Sequence, residues 1–393
     1  MTTTVVTDRL TRGRDFSVGV IMQVTKGVVN TTPAFDVVRR TTGKPKHTIG
    51  YTQSDEVQVT NQGQANIQDT EEFTMELEAG VSKQSINWLK QAIHGDAVAL
   101  TNTATTYAAL ADGFTFSTAG YAGISAGDGF WITGLTNPLL DGFYIAASKG
   151  GSNKVVTTIA PVGTEAASAS VTMKSFKTAN ADLPSYNMLQ RRTVDDSAAG
   201  DISYLTLYDA VIDTMSVDIA ETGIVQGKAS FKAEKRIDGN LLVTGQSYNA
   251  AATDAVVSAV QNVLGFYVDG LSYTCIQKKM SIEIGNGYVG DDAAACARQY
   301  ARGQFEVKGS ASFRARYSSP LDWEAIYQAG TQKSLGVRIN HNATDETFIV
   351  MPQCVVTDHN QADGANDVAS HEVSFGAEGN AATSSTIMIF TNW

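Results

Sequence analysis

Two stretches of this chain repeat each other at a fixed distance, and that repetition limits the folds open to it more than any other feature. Ser85-Ile86-Asn87-Trp88, followed by Gly95, matches Pro320-Leu321-Asp322-Trp323, followed by Gly330, with Trp on Trp and Gly on Gly at an offset of 235 residues. Each stretch reads as a helix behind a long strand. In the first strand Phe73, Met75 and Leu77 alternate with Glu72, Thr74, Glu76 and Glu78; in the second Phe305, Val307, Ala311 and Phe313 alternate with Glu306, Lys308, Ser310, Ser312 and Arg314. A period of two buries one face of a strand and wets the other. Ser230-Phe231-Lys232-Ala233-Glu234 then recurs as Ser374-Phe375-Gly376-Ala377-Glu378, offset by 144. The smaller offset places an insertion in the first copy alone, and the chain reads as two β-β-α-β-β halves.

The insertion has its own composition. Residues 101–180 hold eight charged side chains: Asp112, Asp128, Asp141, Lys149, Lys154, Glu165, Lys174 and Lys177. Short β-type runs (Phe114–Phe116, Phe130–Ile132, Phe143–Ala146, Val155–Ile159 and Ala169–Met173) are separated by Gly, Asn and Pro turns, as in a small all-β module. The expected organisation is an N-terminal arm (1–46), the first part of half one (47–100), the insert (101–180), the second part of half one (181–250) and half two (251–393). The arm is expected to stay outside the core.

Local signals agree. Ser82 or Ser85 can cap the first helix, Ile86, Leu89 and Ile93 form its apolar stripe, and Gly95 ends it. Past Pro184 come strands over Tyr204–Tyr208, Val211–Ile219 and Ile224–Glu234, the last two joined through Glu221-Thr222-Gly223 as a hairpin with one wet face.

The 393 residues carry a formal net charge of −11 with 43% apolar content, which excludes a disordered chain and removes the basic footprint a nucleic-acid-gripping protein needs. Cys275, Cys296 and Cys354 show no metal spacing and read as buried thiols. No run approaches the ~20 apolar residues of a membrane span, and no signal peptide is expected. A soluble product made in a reducing compartment is the expectation.

Motifs with chemical meaning fail on context. Gly285-Asn286-Gly287-Tyr288-Val289-Gly290 is a formal GxGxxG, yet Asp291-Asp292 would face a bound pyrophosphate, so a Gly-rich hairpin turn is the better reading. Gly123-Ile124-Ser125-Ala126-Gly127 has the nucleophile-elbow pattern, yet Asp128-Gly129-Phe130-Trp131-Ile132 supplies a turn and a strand where a helix is required. His47, His94, His341, His359 and His371 are scattered; His371, in phase with Val373 and Phe375, reads as a hydrogen-bonded sheet residue, and His94 suits a helix end. Asp363-Gly364-Ala365-Asn366-Asp367 lacks the downstream bidentate Glu of a calcium loop and reads as a tight turn. No catalytic residue, cofactor or metal is expected. The ladder Glu72, Glu76, Glu78 is either a solvated outer face or the lining of something that must not hold a polyanion.

In order along the chain, several segments resemble the tail tube proteins of long, non-contractile-tailed bacteriophages. They are Thr32-Pro33-Ala34-Phe35-Asp36-Val37-Val38-Arg39-Arg40-Thr41, the strand into the Trp88 helix, and Asp213-Thr214-Met215-Ser216-Val217 through Gly223-Ile224-Val225-Gln226-Gly227-Lys228-Ala229-Ser230-Phe231. Met280-Ser281-Ile282-Glu283-Ile284, Gly303-Gln304-Phe305-Glu306-Val307-Lys308-Gly309 and Met351-Pro352-Gln353 complete the set. The resemblance implies a mainly β fold of duplicated tail-tube β-sandwich halves, each with a flanking α-helix, plus an inserted small immunoglobulin-like domain on the tube exterior. It also implies a virion protein, assembled in the host cytoplasm, that forms trimeric, pseudo-hexameric rings stacked into a tube. Partners would be the tape measure, tail terminator and baseplate proteins, with DNA in transient, non-specific passage and no membrane. Glu72, Glu76, Glu78, Asp218 and Glu283 are the expected lumen residues, with Lys228 and Lys232 standing against that choice. Trp88, Gly95, Trp323 and Gly330 mark the repeated helices. Thr52–Asp69 and Gly285–Gly303 are the expected contacts between rings. A secreted or surface β-sandwich binding module, with the insert as its ligand-binding part, is the alternative, and a hydrolase using Ser125 a third.

Overall fold

The computed structural model describes residues 16–30, 32, 34–53, 66–93, 97–116, 129–150, 154–158, 160–178, 186–193, 202–239, 245–269, 271–273, 277–291, 298–315, 321–342, 345–362, 369–379 and 386–391. The chain begins with β1 (Phe16–Met22), β2 (Phe35–Val37), β3 (Thr42–Gln53) and β4 (Asn66–Gly80), then helix α1 (Lys83–Ala92). Six strands follow: β5 (Ala97–Leu110), β6 (Gly113–Phe116), β7 (Gly129–Thr133), β8 (Gly142–Gly150), β9 (Lys154–Thr157) and β10 (Glu165–Thr178). Next come β11 (Tyr186–Thr193), β12 (Ile202–Ile219), β13 (Gln226–Gly239), β14 (Tyr248–Asn249), β15 (Val263–Val268) and β16 (Leu271–Ser272). The remainder is β17 (Gln277–Gly285), β18 (Val289–Asp291), β19 (Gln299–Ala301), β20 (Glu306–Arg314), helix α2 (Trp323–Ala329), β21 (Lys333–Asn340), β22 (Glu346–Ala362), β23 (Ser370–Ala377) and β24 (Met388–Thr391).

The protein is mainly β, and one antiparallel sheet organises it. Its strands lie in the order β3-β4-β13-β12-β17-β20-β23-β22, each bonded to the next. The order reads as four strands followed by four. In each block a hairpin (β3-β4 or β17-β20) leads through a helix to a second hairpin (β12-β13 or β22-β23), whose later strand lies beside the first hairpin. Details recur with the pairing. β11 covers the N-terminal part of β12 up to Tyr186 opposite Ala210, and β21 covers β22 up to Lys333 opposite Cys354. The β12-β13 ladder shifts register between Ile212 and Thr214; the β22-β23 ladder shifts between Val356 and Asp358. The β12 positions Ala210, Ile212 and Thr214 are each displaced from Cys354, Val356 and Asp358 of β22 by the 144 residues that separate Ser230 from Ser374.

Alternation explains the burial. Met75 and Leu77 of β4, Ala229 and Phe231 of β13, Met215 and Val217 of β12, Ile282 and Ile284 of β17, Val307 of β20 and Phe375 of β23 fall in one cluster, all 2% exposed or less. Burying a side chain of that size contributes roughly 1.5–3 kcal/mol. Both helices join the same cluster. In α1 the Ser82 amide donates to Ser85 Oγ at 2.7 Å, and Trp88 meets Phe231 edge-on with ring centroids 6.5 Å apart. In α2 the Asp322 carboxylate accepts from the Ala325 amide, Gly330 closes the helix in the left-handed region at φ 60°, and Trp323 stacks on Phe313 at 4.7 Å. A glycine is favoured at that C-terminal position because it carries no Cβ to clash there.

Two regions differ from expectation. The insert strands close into a barrel, β10-β5-β6-β9-β8-β7, around Phe114, Phe116, Phe130, Ile132, Leu140 and Val155, where an immunoglobulin-like sandwich was expected. Three register shifts along β5 and β10 supply the bending that lets β10 pair with β5 on one side and β7 on the other. The expected N-terminal arm, from residue 16 onward, is woven into the main sheet. β1 pairs with β11 and β2, and Val18 and Val20 enter the central cluster. β3 starts at Thr42, ahead of the boundary expected at residue 46.

Candidate functional site: the polar face of the long sheet

The face opposite the core carries the chain's most ordered array of polar groups. Directly opposed residues on antiparallel neighbours project to the same side, so the registers define rows across the sheet. One row runs Thr42, Glu78, Lys228, Ser216, Glu283, Lys308, Gly376 across β3, β4, β13, β12, β17, β20 and β23. The next runs Gly80, Gln226, Asp218, Ser281, Ser310, Ser374, Asp358 from β4 to β22. Glu76 and Glu72 share the side of Glu78 by the period of two. All five acidic candidates, Glu72, Glu76, Glu78, Asp218 and Glu283, thus lie on one face of one sheet.

Their surroundings change what that face can do. The ladder of carboxylates on β4 is flanked in register by cations on both neighbours: Lys46 opposite Thr74 on one side, Lys228 opposite Glu78 and Lys232 opposite Thr74 on the other. Lys228 Nζ reaches Glu76 at 3.8 Å and Lys308 Nζ reaches Glu283 at 3.8 Å. Lys279 Nζ lies 3.2 Å from Glu372. Asp218 accepts hydrogen bonds from Ser281 Oγ at 2.5 Å and Ser216 Oγ at 3.3 Å. The array is therefore a chequer of alternating charge interspersed with serine, rather than a uniformly acidic strip. Lys232 leaves the chequer to bind Asp213 at 3.0 Å and the Tyr288 carbonyl at 2.9 Å. Sequence reading missed Lys46 of β3 and Lys308 of β20 as members of the face, because membership depends on register between neighbouring strands; the alternation of Lys308 with Val307 and Gly309 was the one local signal.

Other candidates resolve as structural. After Gly285 the chain turns through Gly287, at φ 57°, into strand β18, so the GxGxxG run opens no helix. A Cβ on Gly287 would stand 2.9 Å from the Gln304 carbonyl oxygen, which gives this glycine a packing reason. His371 is hydrogen-bonded within the sheet, its Nδ1 3.0 Å from His359 Nε2, and His359 Nδ1 lies 2.7 Å from Glu324. Burial first, and the neighbouring His359 second, lower the His371 pKa. Cys354 is buried, which raises its thiol pKa and disfavours the nucleophilic thiolate. Gly95, His94, Ser125, Cys275, Cys296 and the 363–367 loop lie outside the described residues. Among the described residues no cluster of His, Cys, Asp or Glu suits a metal ion, and no helix is long and apolar enough to cross a membrane.

A protein-family model described as phage tail tube protein matches residues 13–377, nearly the whole chain. No curated protein matches it.

Proposed function

The chain belongs to the phage tail tube protein family, and from that premise we propose that three copies form a pseudo-sixfold ring, that rings stack into the tail tube of a long, non-contractile-tailed phage, and that DNA passes through the bore into the host. Membership makes it a structural component of the virion tail that self-assembles. The observation that carries the finer reading is the sheet order, β3-β4-β13-β12 followed by β17-β20-β23-β22, with matching bulges. We read it as a duplicated tail-tube half, so that three chains supply six equivalent blocks around an axis. The rest of the proposal builds on that reading. The polar face lines the bore, and the barrel of 97–178 sits outside. The contacts between rings are proposed at Thr52–Asp69 and Gly285–Gly303, of which 54–65 and 292–297 lie outside the described residues. The tape measure, terminator and baseplate proteins occupy the bore and the two ends.

A chequered lumen suits passage of a polyanion. A uniformly basic wall would hold DNA by releasing its counterions, whereas a wall on which Lys228, Lys279 and Lys308 stand against carboxylates offers the phosphates less such gain. The expected result for Glu72→Lys, Glu76→Lys and Glu78→Lys together is intact tubes with slowed DNA ejection. The pair lost with Lys228 is exposed and worth about 1 kcal/mol at most, and the solvent-exposed like-charge contacts then made with Lys228 cost a similar amount each, so tubes are expected to form. Particles carrying the three changes and ejecting at the normal rate would contradict the lumen assignment.

A further inference from the structure

The two four-strand blocks differ at one place, and the difference identifies the seam between subunits. In the first block, the C-terminal part of β12 continues past β11 and is taken up on that same side by β17, from Thr214 opposite Gly285 to Ile219 opposite Met280. In the second block β22 continues past β21 in the same way, but among the described residues nothing pairs with its outer edge over 358–362. At the other end of the sheet, β3 pairs only with β4 among the described residues. β3 holds in its block the place that β17 holds in the next. The correspondence is fixed by register: Lys46 lies opposite Thr74 and Glu283 opposite Lys308, while Thr74 and Lys308 face the corresponding residues Lys232 and Gly376.

We infer that β22 of one copy pairs antiparallel with β3 of the next, in the register the chain already uses between β12 and β17. That register sets Asn360 opposite Lys46, Asp358 opposite Thr48 and Ala362 opposite Lys44, each second residue belonging to the neighbouring copy. The inference rests on the ring reading above and adds to it the strands, the direction and the register of the joint.

Side-chain chemistry supports it from both faces. On the polar face the seam sets Asp358 diagonal to Lys46, which continues the alternation of charge across the sheet. On the core face the intrachain joint is made by Met215, Val217, Ile282 and Ile284, all 2% exposed or less. Their counterparts at the open edges are His359, Gln361, Pro45 and His47. An edge that waits in water before assembly is tolerable when it carries polar groups and a proline, and it would invite indiscriminate aggregation if it carried the apolar set. Pro45 removes one N–H from β3 and so costs the seam one ladder bond at most.

The test is oxidation of assembled protein carrying Asn360→Cys with Lys46→Cys. Opposed Cβ atoms on antiparallel strands lie about 4.5–5.5 Å apart, close enough for a disulfide after small adjustment. The expected result is a covalent ladder ending at the closed ring of three, absent from each single variant and from Asn360→Cys with Thr42→Cys, whose positions are four residues out of register. Asp358→Cys with Thr48→Cys is a second pair in the same joint. Tubes seen by microscopy for both pairs, without crosslinks in either, would overturn the seam while leaving the tube reading standing. Wild-type protein that never oligomerises would overturn both.

Discussion

Replacing Trp323 by alanine is expected to destabilise the folded chain by about 3–5 kcal/mol, the range for removing a large aromatic from a packed core. The indole is 3% exposed and stacks on Phe313 at 4.7 Å with the planes 16° apart, and Phe313 in turn lies 4.9 Å from Phe266 of β15. Truncation therefore unsupports a cluster of three rings that ties α2 to β20 and β15. Trp323→Phe keeps part of the stack and is expected to lose less than half as much. Denaturant melts of the two variants measure the difference. A loss below about 1 kcal/mol for the alanine variant would show that α2 is not anchored through this ring.

The second large effect is expected at Asp209, a charged residue 2% exposed in the middle of β12. Its Oδ1 accepts from Gln23 Nε2 and from the Gly27 amide, both at 2.6 Å, and Lys235 Nζ stands 3.4 Å from Oδ2. The Asp209 amide donates to Gln23 Oε1 at 3.0 Å. The backbone sits at φ 53°, where a side chain that bonds locally is tolerated better than an alkyl one. Asp209→Ala removes an acceptor from buried donors and adds strain at that φ, for a combined cost of about 3 kcal/mol. Asp209→Asn keeps one acceptor and the conformational tolerance, so its cost is expected to be smaller. Because the lost bonds hold residues 23–27, limited proteolysis should cut that segment earlier in the alanine variant than in wild type. An unchanged digestion pattern would contradict the clasp.

Much of this fold was legible in the sequence because much of it is half wet. β4, β13 and β20 each bury one face and expose the other, so Phe73-Met75-Leu77 and Phe231-Ala233 announced themselves by alternation. The hairpin turn at Gly223, with φ 97°, and the serine pair Ser82 and Ser85 at the start of α1 were equally readable, since both are local chemistry. β5 was not, because Ala97–Leu110 is mostly Ala and Thr, with no apolar contrast between its faces. The barrel closure escaped for a different reason: it depends on register shifts between strands that a sequence does not display. The Asp209 clasp splits β12 into two apparent strands when read locally, and its partners lie 186 residues away at Gln23 and 182 away at Gly27. The candidate site was half legible. Carboxylates on β4 stand out along one strand, whereas the lysines that answer them belong to neighbours only the folded sheet brings beside them.

A reconstruction from electron micrographs of the purified, assembled protein tests the central claim most directly. The account predicts hollow tubes of stacked rings, three chains and six equivalent sheet blocks per ring, with Ser216, Glu283 and Ser310 facing the bore and the 97–178 barrel outside. Monodisperse single chains at every concentration, or tubes whose bore is lined by any other surface, would contradict it.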